Sequence, residues 1–216
     1  PVSVTDPEGN TVLTSYDANG NKIKEIDPAG NITDYEYDAA NRLVKTVLPE
    51  IFDGETGTNR RPEVTSSYNK RGQLISSTDV RGVTTTTQYD ILGQAVRTAT
   101  QVENDQEFVT ENEYDQLGNL IQSTVWRDAA TGLVTATEYD EFNRPVKVTD
   151  PAGNSESYTY DTVGNKLTAT DKRGFTANFT YDRANRQTMV QMPSVGDIRP
   201  TTQTAYDKAG RVICVT

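Results

Sequence analysis

Short alternating segments, rather than helical stripes, organise this chain. Runs of about six residues such as "TVLTSY" (11–16) and "TATEY" (135–139) are rich in the β-branched and aromatic side chains that suit a pleated, half-buried surface. No stretch shows a 3.6-residue apolar period, so strands are predicted throughout and helices nowhere. The pattern is phased on nine tyrosines, Tyr16, Tyr37, Tyr68, Tyr89, Tyr114, Tyr139, Tyr160, Tyr181 and Tyr206. Seven residues after each stand Ile23, Val44, Ile75, Val96, Ile121, Val146, Leu167, Thr188 and Ile213, of which eight are aliphatic. A period of two places the residue two before each tyrosine on the tyrosine's own face. That residue is often polar, so the incoming strand is anchored mainly by its tyrosine and the outgoing strand by its aliphatic residue.

The tyrosines are spaced by 21, 31, 21, 25, 25, 21, 21 and 25 residues, the signature of a repeat architecture. Aspartate follows tyrosine in eight copies, at Asp17, Asp38, Asp90, Asp115, Asp140, Asp161, Asp182 and Asp207, and Asn69 takes its place in the other. Four residues after each tyrosine stand Gly20, Asn41, Gly72, Gly93, Gly118, Asn143, Gly164, Asn185 and Gly210. Glycine and asparagine are the residues that most readily take positive φ, so this position is predicted to be left-handed and to close a type I turn with a G1 bulge. The aspartate is the first turn residue, its carboxylate bonding a turn amide.

A second turn precedes five of the tyrosines: "DPEG" at Asp6, "DPAG" at Asp27 and Asp150, "DVRG" at Asp79 and "DKRG" at Asp171. Proline presets φ at its second position and glycine takes the left-handed place. The longer repeats replace this turn by insertions, around "QVENDQE", "WRDAATGL" and "MPSVGDIRP", and most of all at "LPEIFDGETGTNRRPEV" (48–64). These insertions collect on one edge, and the largest is predicted to be an exposed loop without structure of its own. Two strands per repeat make about 18 strands, more than an open sheet holds without curling or splitting. The predicted fold is all-β, a continuous antiparallel β-meander curved so that its apolar face turns inward.

Composition narrows the chemistry. Apolar residues are 34% of the 216, and the net charge is −10 from 21 basic and 31 acidic residues. An acidic chain is a poor partner for nucleic acid phosphates. No apolar run approaches the ~20 residues of a membrane helix. There is no histidine, which removes Ser-His-Asp and Cys-His catalysis and the commonest transition-metal ligand. The single cysteine, Cys214, excludes an intrachain disulfide and reads as a strand residue. "DANGN" (17–21) has the first alternate ligands of a calcium loop but carries Lys22 and Pro28 where that loop needs glycine and glutamate. Trp126 is read as covering the end of the sheet from an extended loop, with stacking on a sugar as the alternative. No catalytic, cofactor or metal residue is predicted.

Together these motifs, as in "DPAGNITDYEYDAANRL" (27–43), resemble the YD-repeat, or Rhs, family. The resemblance spans residues 1–216 as a single array of nine Tyr-Asp repeats. It implies a spiralling β-sheet that forms part of a hollow shell around a C-terminal toxin domain, as in type VI secretion effectors and insecticidal toxin complexes. The expected role is then a non-catalytic shell segment of a secreted bacterial polymorphic toxin. Its partners would be the rest of the shell, the enclosed toxin and other toxin-complex or secretion subunits. A cell-surface adhesion or carbohydrate-binding module, as in the teneurin-like members, is the alternative. The family's Pro-, Gly- and Asp-rich core region with its self-cleavage site is not seen. "PVSVTD" at Pro1 matches "PVKVTD" at Pro145, and the chain is read as an internal fragment of a longer shell protein.

Overall fold

The computed structural model describes residues 2–102, 106–128, 130–194 and 198–216. It holds 21 strands, and no helix among the described residues. Nine incoming strands end on the nine tyrosines: β2 (Thr11–Tyr16), β4 (Ile32–Tyr37), β8 (Glu63–Tyr68), β10 (Thr84–Tyr89), β12 (Glu107–Tyr114), β14 (Gly132–Tyr139), β16 (Ser155–Tyr160), β18 (Thr176–Tyr181) and β20 (Thr201–Tyr206). Nine outgoing strands follow: β3 (Lys22–Ile26), β5 (Leu43–Val47), β9 (Leu74–Thr78), β11 (Ala95–Gln101), β13 (Leu120–Trp126), β15 (Pro145–Thr149), β17 (Lys166–Thr170), β19 (Gln187–Gln191) and β21 (Val212–Val215). With β1 (Val2–Thr5), these 19 strands carry the main antiparallel sheet. The all-β meander with two strands per repeat read from the sequence is thus present, with β1 as the odd nineteenth strand.

Two compact units divide the chain, Pro1–Thr110 and Glu111–Thr216, and the division falls inside β12. In the first, strands pair in chain order from β1 to β5, then β8 to β11. In the second, β13 to β21 pair in chain order.

The largest insertion departs from expectation. Residues 48–64 are not structureless: β6 (Ile51–Asp53) and β7 (Thr58–Arg60) pair as a hairpin of their own. Asp53 holds its turn, accepting from the Glu55 amide at 3.0 Å and from Arg60 Nε at 2.8 Å. The insertion's base is closed by Leu48 N–H donating to the Pro62 carbonyl at 2.8 Å. Arg61 adds bonds to Asp34 Oδ2 (2.7 Å) and to the carbonyls of Ile32 (2.7 Å), Val47 (3.2 Å) and Leu48 (3.0 Å). Arginine read only as an exposed dibasic pair is therefore half clamp. The other three insertions lie partly outside the described residues, at 103–105, 129 and 195–197.

Very little is buried. Ala99 at 2% exposed, Thr124 at 6% and Pro62 are the buried side chains among the described residues. Hydrophobic packing of the usual two-layer kind is absent from this inventory, and the ladder itself carries the order. Threonine pairs flank four of the five Asp-x-x-Gly turns or their serine equivalent, as in Thr170–Thr176 at 2.8 Å and Thr149–Ser155 at 3.0 Å.

Every turn glycine of the Tyr-Asp series has φ between 83° and 99°, and Asn41, Asn143 and Asn185 have φ near 60°. An added Cβ at Gly20 meets nothing within 4 Å, so backbone conformation alone decides what is tolerated there. Gly20→Val is expected to destabilise by about 1–3 kcal/mol, while Gly20→Asn stays within about 1 kcal/mol of the parent. Urea melts of the two variants check this; equal losses would contradict it.

Candidate functional surface at the repeat junctions

The aspartate after each tyrosine works as a two-pronged acceptor. Asp17 Oδ1 takes the amides of Asn19 (2.9 Å) and Asn21 (2.8 Å), while Oδ2 takes Asn21 Nδ2 (2.9 Å). Asp38 does the same with Ala40 N, Arg42 N and Arg42 Nε, at 2.8, 3.0 and 2.7 Å. Asn69 reproduces the pattern with its carbonyl oxygen and donates Nδ2 to Gln73 Oε1 at 2.8 Å. The Asp-x-x-Gly turns use an equivalent geometry, Asp150 taking Ala152 N and Asn154 N at 2.9 Å each. Both turn classes thus place the predicted bond, and the carboxylates of "DANGN" are spent on it rather than set out for a cation. Among the described residues no cluster of three acidic or cysteine side chains stands ready for a metal.

Beyond the turn, one register slip recurs. Tyr16 pairs with Lys22 but Ser15 with Lys24, so Ile23 is an inserted residue. The same slip skips Val44, Ile75, Val96, Val146, Leu167, Thr188 and Ile213 in their hairpins. The aliphatic position seven after tyrosine is therefore a β-bulge, which adds local twist and frees a carbonyl next to it.

The tyrosine hydroxyls use that carbonyl. Tyr37 Oη donates to Lys22 O (3.0 Å), Tyr68 to Leu43 O (3.2 Å), Tyr89 to Leu74 O (2.9 Å) and Tyr139 to Leu120 O (3.1 Å). Tyr160 reaches Pro145 O (3.0 Å), Tyr181 reaches Lys166 O (3.0 Å) and Tyr206 reaches Gln187 O (2.9 Å). In each case the acceptor is the residue just before the bulge of the preceding repeat. The reading of tyrosine as a packing residue missed this staple. Its signal was there, since the chain has five phenylalanines and none occupies the repeat position.

A second missed position lies five residues after tyrosine: Asn21, Arg42, Gln73, Gln94, Asn119, Arg144, Asn165, Arg186 and Arg211, always amide or guanidinium. Arg42, Arg144 and Arg186 grip their own aspartate and reach into the next turn, NH1 donating to Asn69 O (3.1 Å), Asp161 O (2.8 Å) and Asp207 O (3.3 Å). Their guanidinium groups also lie 4.5–4.7 Å from the ring centres of Tyr68, Tyr160 and Tyr206.

Trp126 ends β13 instead of lying in a loop. Its Nε1 donates to Glu111 Oε2 at 2.9 Å, and its ring covers Gly132, where a Cβ would come within 3.2 Å of it. Cys214 sits exposed in β21, as a strand residue. An open groove of about 810 Å³ runs beside Tyr89 and Gln73, but Arg71 at its rim is spent on the Ile91 carbonyl.

These features define a class, a tandem-repeat protein of stapled two-stranded units. The RHS Repeat family model matches residues 1–32, 16–50, 68–103, 114–155 and 139–176, and the chain belongs to that family. Among solved structures, the Photorhabdus luminescens Tc holotoxin pore is similar at 16% identity and a TM-score of 0.58, over 97% of this chain and 13% of that one. The TcdB2-TccC3-Cdc42 crystal structure matches at 14% identity and a TM-score of 0.45, over 99% of this chain and 16% of that one. This chain therefore spans less than a fifth of either. No curated protein matches the sequence.

Two outcomes follow from this geometry. Tyr160→Phe keeps the ring but leaves Pro145 O without its donor, and is expected to cost about 0.5–1.5 kcal/mol in urea unfolding, with Tyr160→Ala costing more. No loss in the phenylalanine variant would remove the staple from the account. The second concerns pH. The Arg42 guanidinium beside Asp38, with the Arg42 amide, holds that carboxyl below its ordinary range, and Arg186 does the same for Asp182. Depressed folded-state values mean a contribution that is complete above the unfolded value and lost as pH falls through the folded one. The urea midpoint should thus hold above about pH 5 and decline below about pH 4. Asp38→Asn is expected to make that decline shallower.

Proposed function

We propose that this chain is a non-catalytic wall segment of an Rhs shell, one array of nine repeats within a longer secreted bacterial protein whose shell encloses a toxin domain. The observation that carries the reading is how the repeated polar groups are used. The aspartates are committed to turn amides and the arginines five places after tyrosine to the next turn, so the recurrent chemistry builds wall instead of a site. The likeness to the Tc holotoxin pore supports the same wall architecture. Partners on this reading are neighbouring shell segments, the enclosed domain and other toxin-complex subunits.

The test is limited proteolysis of the full-length protein containing this array. Expected is a protease-resistant enclosed segment that becomes cleavable when Tyr160→Phe and Gly20→Val are combined to loosen the wall. A downstream region digested equally in the parent and the variant protein would sink the encapsulation reading. Specific retention on a glycan array, lost on Trp126→Ala, would favour the adhesion role instead.

A further inference from the structure

The residue five places after tyrosine and the left-handed residue of the following repeat vary together. Where the former is Asn (Asn21, Asn119, Asn165), the next repeat closes its turn with Asn41, Asn143 or Asn185. Where it is Arg or Gln, the next turn has glycine, at all five such junctions. The contacts explain both halves. Asn21, Asn119 and Asn165 donate Nδ2 to the Oδ1 of Asn41 (2.9 Å), Asn143 (3.0 Å) and Asn185 (3.0 Å). A glycine there offers no such acceptor. The longer side chains occupy the space instead: a Cβ at Gly93 would lie 3.1 Å from Gln73 Nε2, at Gly210 3.6 Å from Arg186 NH1 and at Gly72 3.8 Å from Arg42 NH1. At Gly164 the Cβ position is open, so exclusion there acts further out along a side chain.

We propose that this residue selects the class of hairpin able to pair on its far side, and that β21 with Arg211 is a docking edge for a glycine-class hairpin, one whose incoming strand ends in Tyr-Asp-x-x-Gly. Arg42, Arg144 and Arg186, each covered by a following hairpin, are 31%, 22% and 32% exposed. Arg211 makes the same grip on its own aspartate, Nε to Asp207 Oδ2 at 2.7 Å, yet is 82% exposed. Beside it, Val212, Ile213 and Val215 are 55–65% exposed along β21. Strand, arginine and turn repeat the geometry of three occupied junctions, so the occupant is a carbonyl-bearing glycine turn with a tyrosine ring for the guanidinium to cover. A strand of this kind adds by backbone pairing, and the arginine supplies the selectivity. This inference does not rest on the shell reading.

The test extends the full chain after Thr216 with a copy of residues 150–170, carrying either the native glycine or asparagine at the place of Gly164, on parent and Arg211→Asn backgrounds. Amide hydrogen exchange of residues 212–216 is the readout. With Arg211 the glycine extension is expected to slow exchange about tenfold more than the asparagine extension, and with Arg211→Asn the order should reverse. Crossing the two changes cancels the intrinsic cost of asparagine at positive φ. An order that is the same on both backgrounds, or no protection in any of the four chains, overturns the proposal. Because the readout involves neither cargo nor shell, its failure is separable from failure of the encapsulation reading.

Discussion

One carboxylate oxygen accepting two backbone amides sets up everything else in each hairpin. Asp17 Oδ1, bonded to the amides two and four residues on, commits the chain to a turn whose fourth residue is left-handed. That conformation orients the outgoing strand, and the bulge at Ile23 then re-aims it and turns out the Lys22 carbonyl. Tyr37 bonds that carbonyl from the next repeat. Turn, bulge and staple are consecutive steps of one local mechanism, and each hairpin prepares the acceptor its successor needs.

Such a mechanism suits a sheet with so little buried. With Ala99, Thr124 and Pro62 as the buried side chains among the described residues, the usual large apolar contribution to stability is thin. Nearest-neighbour terms take its place: backbone ladders, hydroxyl staples, guanidinium groups over rings, and side chains passed from turn to turn. Stability in a quasi-one-dimensional array of this kind is close to a sum over repeats and their junctions.

Strand positions and both turn classes were legible in the sequence because each rests on local chemistry. Positive φ admits few residue types, and a tyrosine every 21 to 31 residues phases the rest. What escaped was the chemistry between repeats. A tyrosine hydroxyl finds its partner 15 to 25 residues back, and Asn165 finds Asn185 20 residues on, across a strand pair whose register the turn motif does not state. Trp126 was misplaced for a related reason: the strand β13 extends past the length of its siblings, and pairing with Gly132 decides where it ends. The hairpin within residues 48–64 escaped because its strands have only three residues each, too short for alternation to register.

That small hairpin has a wider meaning. Its foot is tied by Leu48, Pro62 and Arg61, and the main ladder resumes with Val47 opposite Glu63 as though nothing had intervened. Whatever is carried above the foot is invisible to the register below it. The array thus owns a port where foreign sequence, from a recognition loop to a whole domain, is accommodated without re-threading a single strand, and diversity in such proteins is free to accumulate there while the wall keeps its pitch.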